Sequence, residues 1–231
     1  MIWLGGVAIQ SDPDAAHWTY PQTMDQEAAL QVFKGRALAL PAQGVKPVIF
    51  KVGQSWGDTW LGTMAANPSA VIYSFEPVQD LKLLQDLSSS RPRISLKFGL
   101  AAQTRKAQFR VWGTQPNGLD NWNGTLEDVE LRDADGVFSE IRRDHGRSAD
   151  LLYLNCEGCE YEVLQRLADT GWLKKIPRMA IFWHAGGAPW NQRCTLDHRL
   201  RESHRLVRAV HSTELWSLRG LGETDPFGQL A

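Results

Sequence analysis

The sequence has no excess of charge of either sign, few cysteines and no long apolar run. Its 25 lysines and arginines face 26 aspartates and glutamates, and a net charge of −1 gives no basis for a polyanionic partner. Cysteine occurs only at Cys156, Cys159 and Cys194, an odd and sparse set that favours reduced thiols over a disulfide framework. No stretch approaches the ~20 apolar residues of a membrane helix, and the apolar residues 1–10 lack the basic leader of a signal peptide. We therefore expect a cytoplasmic protein with no membrane association and no nucleic-acid partner.

The glycine fingerprint of nicotinamide enzymes, Gly-x-Gly-x-x-Gly, is also missing. Gly53 and Gly57 instead follow a short apolar run with the spacing Gly-x-x-x-Gly. Glycine in a turn from a strand to a helix permits a tight backbone and the close approach of a ligand. Such a turn can also simply connect the two elements. The segment predicts a nucleotide-type pocket and disfavours a nicotinamide cofactor.

Strand and helix patterns alternate from residue 47 onward. The predicted strands are residues 48–50, 70–75, 94–101, 107–112, 151–154, 179–183, 206–211 and 214–218. The predicted helices are residues 24–38, 58–66, 78–88, 138–145, 161–168 and 196–204. This alternation indicates an α/β fold with a mainly parallel sheet, helices on both faces and a terminal antiparallel strand pair. Residues 113–136, rich in Asn, Asp and Gly, predict a long surface loop. Residues 1–45 predict an N-terminal cap, and residues 46–231 the main domain.

Acidic residues follow two of the predicted strands. Glu76, in Phe75-Glu76-Pro77, comes about 20 residues after the glycine turn, where a carboxylate can accept both hydroxyls of a ribose. The alternative for Glu76 is a charge that stabilises the start of the next helix. The second segment, residues 155–160, reads Asn-Cys-Glu-Gly-Cys-Glu after a buried strand. Both segments are expected at the carboxyl ends of strands, which line the ligand crevice of an open α/β sheet.

Taken together, these three segments resemble the FkbM family of S-adenosylmethionine-dependent methyltransferases. Residues 51–57 resemble the family's Asp-Val-Gly-Ala-Asn-x-Gly, Phe-Glu-Pro stands at residues 75–77, and residues 155–160 resemble its Asp-x-Glu-Gly-x-Glu. The resemblance extends from about residue 47 to residue 185. It implies a Rossmann-like class I methyltransferase fold with a seven-stranded sheet and S-adenosylmethionine as the methyl donor. The implied reaction is O-methylation of a hydroxyl on a small molecule or glycan.

The resemblance also implies where the donor binds. The implied donor contacts come from the ends of the strands: Gly53, Gln54, Ser55, Gly57, Glu76, Ala101 and Asn155. Two residues depart from the family pattern, because Lys51 and Asn155 stand where the family has Asp. A cation at residue 51 weakens binding of a sulfonium unless Lys51 points elsewhere or pairs with the donor carboxylate, whereas Asn155 keeps neutral hydrogen-bonding groups. These departures leave open a second hypothesis, a non-catalytic module of the same fold that binds a ligand or a partner.

Methyl transfer to a hydroxyl favours a base beside the acceptor. His184 follows the predicted strand 179–183 at the same edge of the sheet and is the first choice, with a structural histidine as the alternative. Glu157 and Glu160 are further catalytic candidates. Glu160 is also placed to cap the helix that follows it.

Three further features have both a structural and a functional interpretation. Trp122, Trp183 and Trp190 are either core residues or an aromatic wall for the acceptor. The three cysteines with His184 have the composition of a zinc site, but no second paired motif follows, and we predict no metal. The arginines within residues 193–208 form either a solvated helix surface, which we favour, or a face that binds phosphate or nucleic acid.

Overall fold

The computed structural model describes residues 7–8, 46–53, 67–78, 93–111, 125–184, 190–210 and 212–221. Its strands are β1 Val7–Ala8, β2 Val48–Val52, β3 Val71–Phe75, β4 Arg93–Leu96, β5 Gly99–Ala101, β6 Arg105–Val111, β7 Thr125–Asp133, β8 Leu151–Leu154, β9 Arg178–Phe182, β10 His204–Val210 and β11 Thr213–Leu218. The helices described are α1 Ala134–His145, α2 Cys159–Asp169 and α3 Trp190–Ser203, with a 3-10 turn at Leu173–Lys175. The predicted helices at 24–38 and 58–66, and all but the first residue of the one at 78–88, lie outside the described residues.

The main sheet has seven strands in the order β10-β11-β9-β8-β2-β3-β4. The five strands from β9 to β4 are parallel, whereas β11 is antiparallel to β9 and β10 is antiparallel to β11. The chain moves outward from β2 through β3 to β4 and then returns to the other side of β2 as β8. The order therefore reverses between β2 and β8, and such a reversal is the place where open α/β sheets bind ligands. The predicted fold class, a Rossmann-like sheet of the class I methyltransferase type with a terminal antiparallel pair, is confirmed.

Alternation along β2 divides the core into two faces. Val48, Phe50 and Val52 belong to the cluster that packs against α1, α2 and α3, whereas Ile49 belongs to a second cluster on the opposite face. All five residues of β2, including Lys51, are buried. A strand buried on both faces is the expected result of a central position in a parallel sheet, which explains its nearly continuous apolar sequence.

Helix α1 is specified by its own sequence. The side chain of Asp133 caps the first turn by accepting a hydrogen bond from the N–H of Asp135, and Gly146 ends the helix in the left-handed conformation at φ 71°. The buried residues follow helical spacing: Ala134, Val137, Phe138 and Ile141. Helix α1 therefore places one apolar face on the sheet and leaves its charged face outside.

A second sheet has the order β1-β6-β7-β5. Strand β7, of nine residues, and the start of α1 lie inside the predicted surface loop at 113–136, so that prediction is wrong for residues 125–136. Val129 and Leu131 are buried from alternate positions of β7, and Glu130 between them is exposed. The loop prediction rested on the Asn, Asp and Gly content of the whole segment, which does not reveal this alternation.

The division of the chain at residue 45 stays a prediction. Of residues 1–45 the structure describes only Val7–Ala8, which pairs with β6. Of the helices that the structure describes, none is long and apolar enough to cross a membrane.

Candidate functional site

Three neighbouring strands of the main sheet end side by side. Their last in-register residues form one row: Phe75 of β3, Val52 of β2 and Leu154 of β8. The residues that follow are Glu76, Gly53 and Asn155. Backbone hydrogen bonds extend the row by one residue, from Gly53 N to Phe75 O at 2.9 Å and from Asn155 N to Val52 O at 3.0 Å. Three of the predicted donor residues therefore lie next to one another at the point where the strand order reverses.

Gly53 is required by the protein's own backbone. Its φ is +84°, and a Cβ atom at this position would lie 1.9 Å from the carbonyl oxygen of Asn155. This contact explains the glycine without reference to a ligand. The other residues of the predicted turn, Gln54, Ser55 and Gly57, lie outside the described residues.

Lys51 is buried, with 1% of its surface exposed. Its ammonium group donates a hydrogen bond to the carbonyl oxygen of Gly53 at 2.5 Å. The lysine side chain therefore turns back onto the loop that follows its own strand. This contact places the positive charge beside the glycine turn.

Glu76 belongs to the row of strand ends, whereas Ala101 lies in the second sheet. A carboxylate oxygen of Glu76 accepts the N–H of Val78 at 3.0 Å, and the residue keeps partial exposure. Ala101 is fully buried at the end of β5 in the second sheet, where it packs with Val129. The side chain of Ala101 therefore belongs to a core cluster.

The structure brings the three predicted catalytic residues together. His184, two residues beyond the end of β9, places Nδ1 2.6 Å from Oε1 of Glu160. Its Nε2 atom lies 3.5 Å from Oε1 of Glu157. The imidazole ring thus lies between two carboxylates, one from the turn after β8 and one from the first turn of α2. We refer to Glu157, Glu160 and His184 as the acid-base cluster.

Glu160 organises this turn. It has no exposed surface, and its two oxygens accept the N–H groups of Cys156 at 3.0 Å and Gly158 at 2.8 Å. The residue therefore holds the start of α2, as the sequence allowed, and also pairs with His184. The sequence did not single out Tyr161, whose hydroxyl donates to the carbonyl oxygen of His184 at 3.0 Å. Its place directly after Glu160 was the available signal.

The cluster changes the protonation of its members. Burial disfavours the charged imidazole, but the hydrogen bond to Glu160 and the charges of Glu160 and Glu157 outweigh it and raise the pKa of His184 above 6.5. Burial raises the pKa of Glu157, an effect that the charge of His184 opposes and that of Glu160 reinforces. Because Nδ1–H donates to Glu160, the neutral ring carries its lone pair on Nε2. Nε2, the ring nitrogen that carries the lone pair, therefore faces Glu157.

The cysteine prediction is wrong for one pair, because Cys156 and Cys159 form a disulfide bond. Their Cα atoms lie 5.4 Å apart across the start of α2, within the range that a disulfide requires. The prediction of reduced thiols rested on the odd number of cysteines, although two cysteines three residues apart can form a disulfide. Cys194 is free and exposed. Within the described ranges, no group of three or more His, Cys, Asp or Glu side chains is placed to hold a metal ion.

Trp183 is a core residue and not an open aromatic wall. Only 8% of its surface is exposed, its indole N–H donates to Glu214 at 2.8 Å, and the Arg193 guanidinium stacks on its ring at 4.0 Å. Trp122 and the side chain of Trp190 lie outside what the structure describes, so their proposed contribution stays a prediction.

Three arginines of helix α3 are paired with carboxylates. The pairs are Arg193 with Glu214, Arg199 with Asp169 and Arg201 with Asp197. Each pair neutralises a charge that a phosphate group would need. Arg193 and Arg199 therefore link α3 to β11 and α2, whereas the Arg201 pair lies within α3.

The strand order and the antiparallel hairpin define a Rossmann-like domain of the class I methyltransferase type. No family model matches the chain, and no curated protein matches it. Among solved structures, it is similar to methyltransferase FkbM from Methylobacillus flagellatus, with 13% identity and a TM-score of 0.48 over 81% of this chain and 50% of that one. It is also similar to the fibrillarin pre-rRNA processing protein of Methanococcus jannaschii, with 12% identity and a TM-score of 0.42 over 83% of this chain and 75% of that one. The chain thus spans about half the length of the FkbM structure.

Proposed function

We propose that this protein is an S-adenosylmethionine-dependent methyltransferase that methylates a hydroxyl group of a small molecule or glycan. The observation that carries the proposal is the position of the acid-base cluster. It lies at the carboxyl ends of β8 and β9, directly beside the row of Glu76, Gly53 and Asn155 on β3, β2 and β8. One edge of the sheet therefore offers polar groups for a nucleoside and, next to them, a base.

The residues in the row fit the donor by their chemistry. The Glu76 carboxylate suits the paired hydroxyls of a ribose, and the Asn155 amide offers a neutral donor and a neutral acceptor to the amino-acid part. Lys51 lies close to this region through its bond to Gly53 and suits a carboxylate there. When bound, the donor supplies a methyl group made electrophilic by a sulfonium.

His184 would act as the general base. Glu160 fixes the tautomer by accepting Nδ1–H, so Nε2 is the atom that takes the proton of the acceptor hydroxyl. The two carboxylates of the cluster then stabilise the charged ring. A general base of this kind contributes about 10²- to 10⁴-fold to the rate. Since the pKa of His184 is raised, we expect turnover to increase as the pH rises through that pKa.

Two measurements test the proposal. Titration calorimetry with S-adenosylmethionine and S-adenosylhomocysteine should give saturable binding to the wild-type chain and weaker binding to Glu76→Gln. Release of S-adenosylhomocysteine with a panel of sugars and hydroxylated small molecules should then identify an acceptor. His184→Gln should lose at least about 10²-fold in turnover while keeping donor affinity. Absence of heat with both nucleosides at millimolar concentration contradicts the enzyme proposal.

Lys51 favours a second candidate, a non-catalytic module of the same fold. A buried cation at the glycine turn opposes a sulfonium by charge and does not oppose a neutral thioether. If this candidate is correct, S-adenosylhomocysteine binds more tightly than S-adenosylmethionine, and no acceptor yields product. Lys51→Met removes the charge at similar length and should reduce the difference between the two ligands.

A further inference from the structure

The disulfide encloses one residue of the acid-base cluster. Cys156, two residues beyond the end of β8, and Cys159, the first residue of α2, close a ring around Glu157 and Gly158. Both cysteines keep partial exposure, which a reaction with a second thiol requires. The bond therefore lies where a change in its state reaches the cluster directly.

Glu157 has a backbone conformation that side chains disfavour. Its φ is 57°, and among the described residues it is the one non-glycine residue with positive φ. Such a conformation costs about 1–2 kcal/mol and persists only where the surrounding structure holds it. Glu157 lies inside the ring that the disulfide closes, so the bond restricts its backbone. In this conformation the carboxylate of Glu157 lies within reach of His184 Nε2.

The same turn is bonded to Glu160 through its backbone. The N–H groups of Cys156 and Gly158, on either side of Glu157, both donate to the buried Glu160 carboxylate. A change in the turn therefore alters two of the bonds that fix Glu160. Because Glu160 also binds His184, both carboxylates of the cluster depend on the shape of one short loop.

We propose that the Cys156–Cys159 pair is a redox-active site that undergoes thiol–disulfide exchange with a dithiol partner and controls the position of Glu157 beside His184. A thiolate of the partner attacks one sulfur, forms a mixed disulfide and releases the other cysteine, which takes up a proton. The second thiol of the partner then resolves the mixed disulfide. The partner leaves as a disulfide and the protein keeps two thiols, so two electrons and two protons have moved.

The position of Cys159 favours this exchange. It is the first residue of the 11-residue helix α2, whose N-terminus stabilises a thiolate, while the charge of Glu160, which would oppose a thiolate, is paired with His184. Reduction removes the covalent constraint, and Glu157 relaxes to negative φ with its carboxylate away from His184. The consequence for methyl transfer rests on the proposed function, whereas the exchange reaction does not.

The experiment uses the full chain with Cys194→Ser, which removes the free exposed thiol. The protein is equilibrated in mixtures of oxidised and reduced dithiothreitol, and thiols are counted from the mass added by iodoacetamide. We expect the count to rise from none to two. Amide exchange measured by NMR should accelerate about tenfold at Cys156 and Gly158 on reduction, the size of a weakened hydrogen bond to a charged group. Exchange at Val163, buried further along α2, should not change.

A variant with Cys156→Ser and Cys159→Ser supplies the matched control. Its exchange at Gly158 should equal that of the reduced protein in every mixture. Two reactive thiols under all conditions would overturn the proposal, and so would unchanged exchange at Cys156 and Gly158 after reduction. Faster exchange at Val163 as well would make the bond a structural crosslink and would also overturn it. None of these readouts uses a methyl donor, so failure of the proposed function remains distinguishable.

Discussion

His184 and Glu160 form a buried pair in which Nδ1 lies 2.6 Å from Oε1, and Glu160 has no exposed surface. The carboxylate accepts three hydrogen bonds, one from the ring and two from the backbone of the preceding turn. The pair therefore fixes both the orientation of His184 and the shape of the loop that carries Glu157.

We expect Glu160→Gln to disturb both the orientation of His184 and the shape of the loop that carries Glu157. The amide NH₂ cannot accept a hydrogen bond, so the N–H of Cys156 or Gly158, or the ring of His184, loses its acceptor. The pKa of His184 should fall because the neighbouring negative charge is gone. The free energy of unfolding should drop by about 2–3 kcal/mol. Titration of the His184 ring by NMR and urea unfolding measure the two effects.

Glu162→Gln is the matched control, since Glu162 lies in the same first turn of α2. Its side chain is about one third exposed and pairs with Arg105, and a carboxylate oxygen also accepts the N–H of Ala102. Loss of an exposed ion pair costs about 0.2–1 kcal/mol. The pKa of His184 should stay at its wild-type value. An equal shift in both variants would show that general charge, and not the contact with Glu160, sets the pKa of His184.

His184 contributes stability on the acid side. Its pKa is raised in the folded state, so the contribution is fully present below 6.5 and is lost as the pH rises through the folded pKa. As the pH rises above 6.5, the wild type should lose unfolding free energy, and His184→Gln should lose less of it. Urea unfolding at a series of pH values above 6.5 measures the slope, which should be flatter in the variant than in the wild type. Equal slopes would contradict the raised pKa.

His204 makes the free energy of unfolding depend on pH in the opposite direction, because its pKa is lowered in the folded protein. It is fully buried, its Nε2–H donates to the carbonyl oxygen of Ile176 at 2.9 Å, and burial lowers its pKa. As the pH falls below 6.5, the unfolded chain takes up a proton that the folded protein resists, so stability decreases. His204→Gln should be less stable at neutral pH but lose less of its unfolding free energy on acidification. An unchanged acid slope in that variant would assign the acid loss to other groups.

Strand ends were predictable from the sequence, and the contacts made beyond them were not. The apolar runs of β8 and β9 and the residues after them were enough to bring Glu157, Glu160 and His184 to one edge, because carboxyl ends of parallel strands share that edge. The disulfide was not predicted, because the spacing of two cysteines permits a bond without requiring it. Strand β7 was missed because its charged outward face resembles a loop in composition.

Ser217 should be replaceable with a gain in stability. Among the described residues its hydroxyl is the one buried side-chain polar group without a hydrogen-bond partner. Ser217→Ala removes a buried polar atom whose desolvation is uncompensated, so the free energy of unfolding should rise by about 1 kcal/mol. Thr170→Val, which loses a hydrogen bond to the carbonyl oxygen of Arg166, should lower it by a similar amount. A loss of stability in Ser217→Ala would contradict the expectation and indicate a bound water at that hydroxyl.

Gly53 and Gly146 both have positive φ, but only at Gly53 would a side chain also collide with the backbone. Gly53→Ala would place a Cβ atom 1.9 Å from the carbonyl oxygen of Asn155, so either β2 or β8 has to shift. Gly146 has a similar positive φ, but nothing lies within 4 Å of its added Cβ. We expect urea unfolding to show a loss of about 1–2 kcal/mol for Gly146→Ala, the cost of the left-handed conformation. The loss should exceed about 4 kcal/mol for Gly53→Ala because the clash adds to it. Equal losses would mean that the ends of β2 and β8 can move apart, and the row that they form with Glu76 would then not be a fixed site.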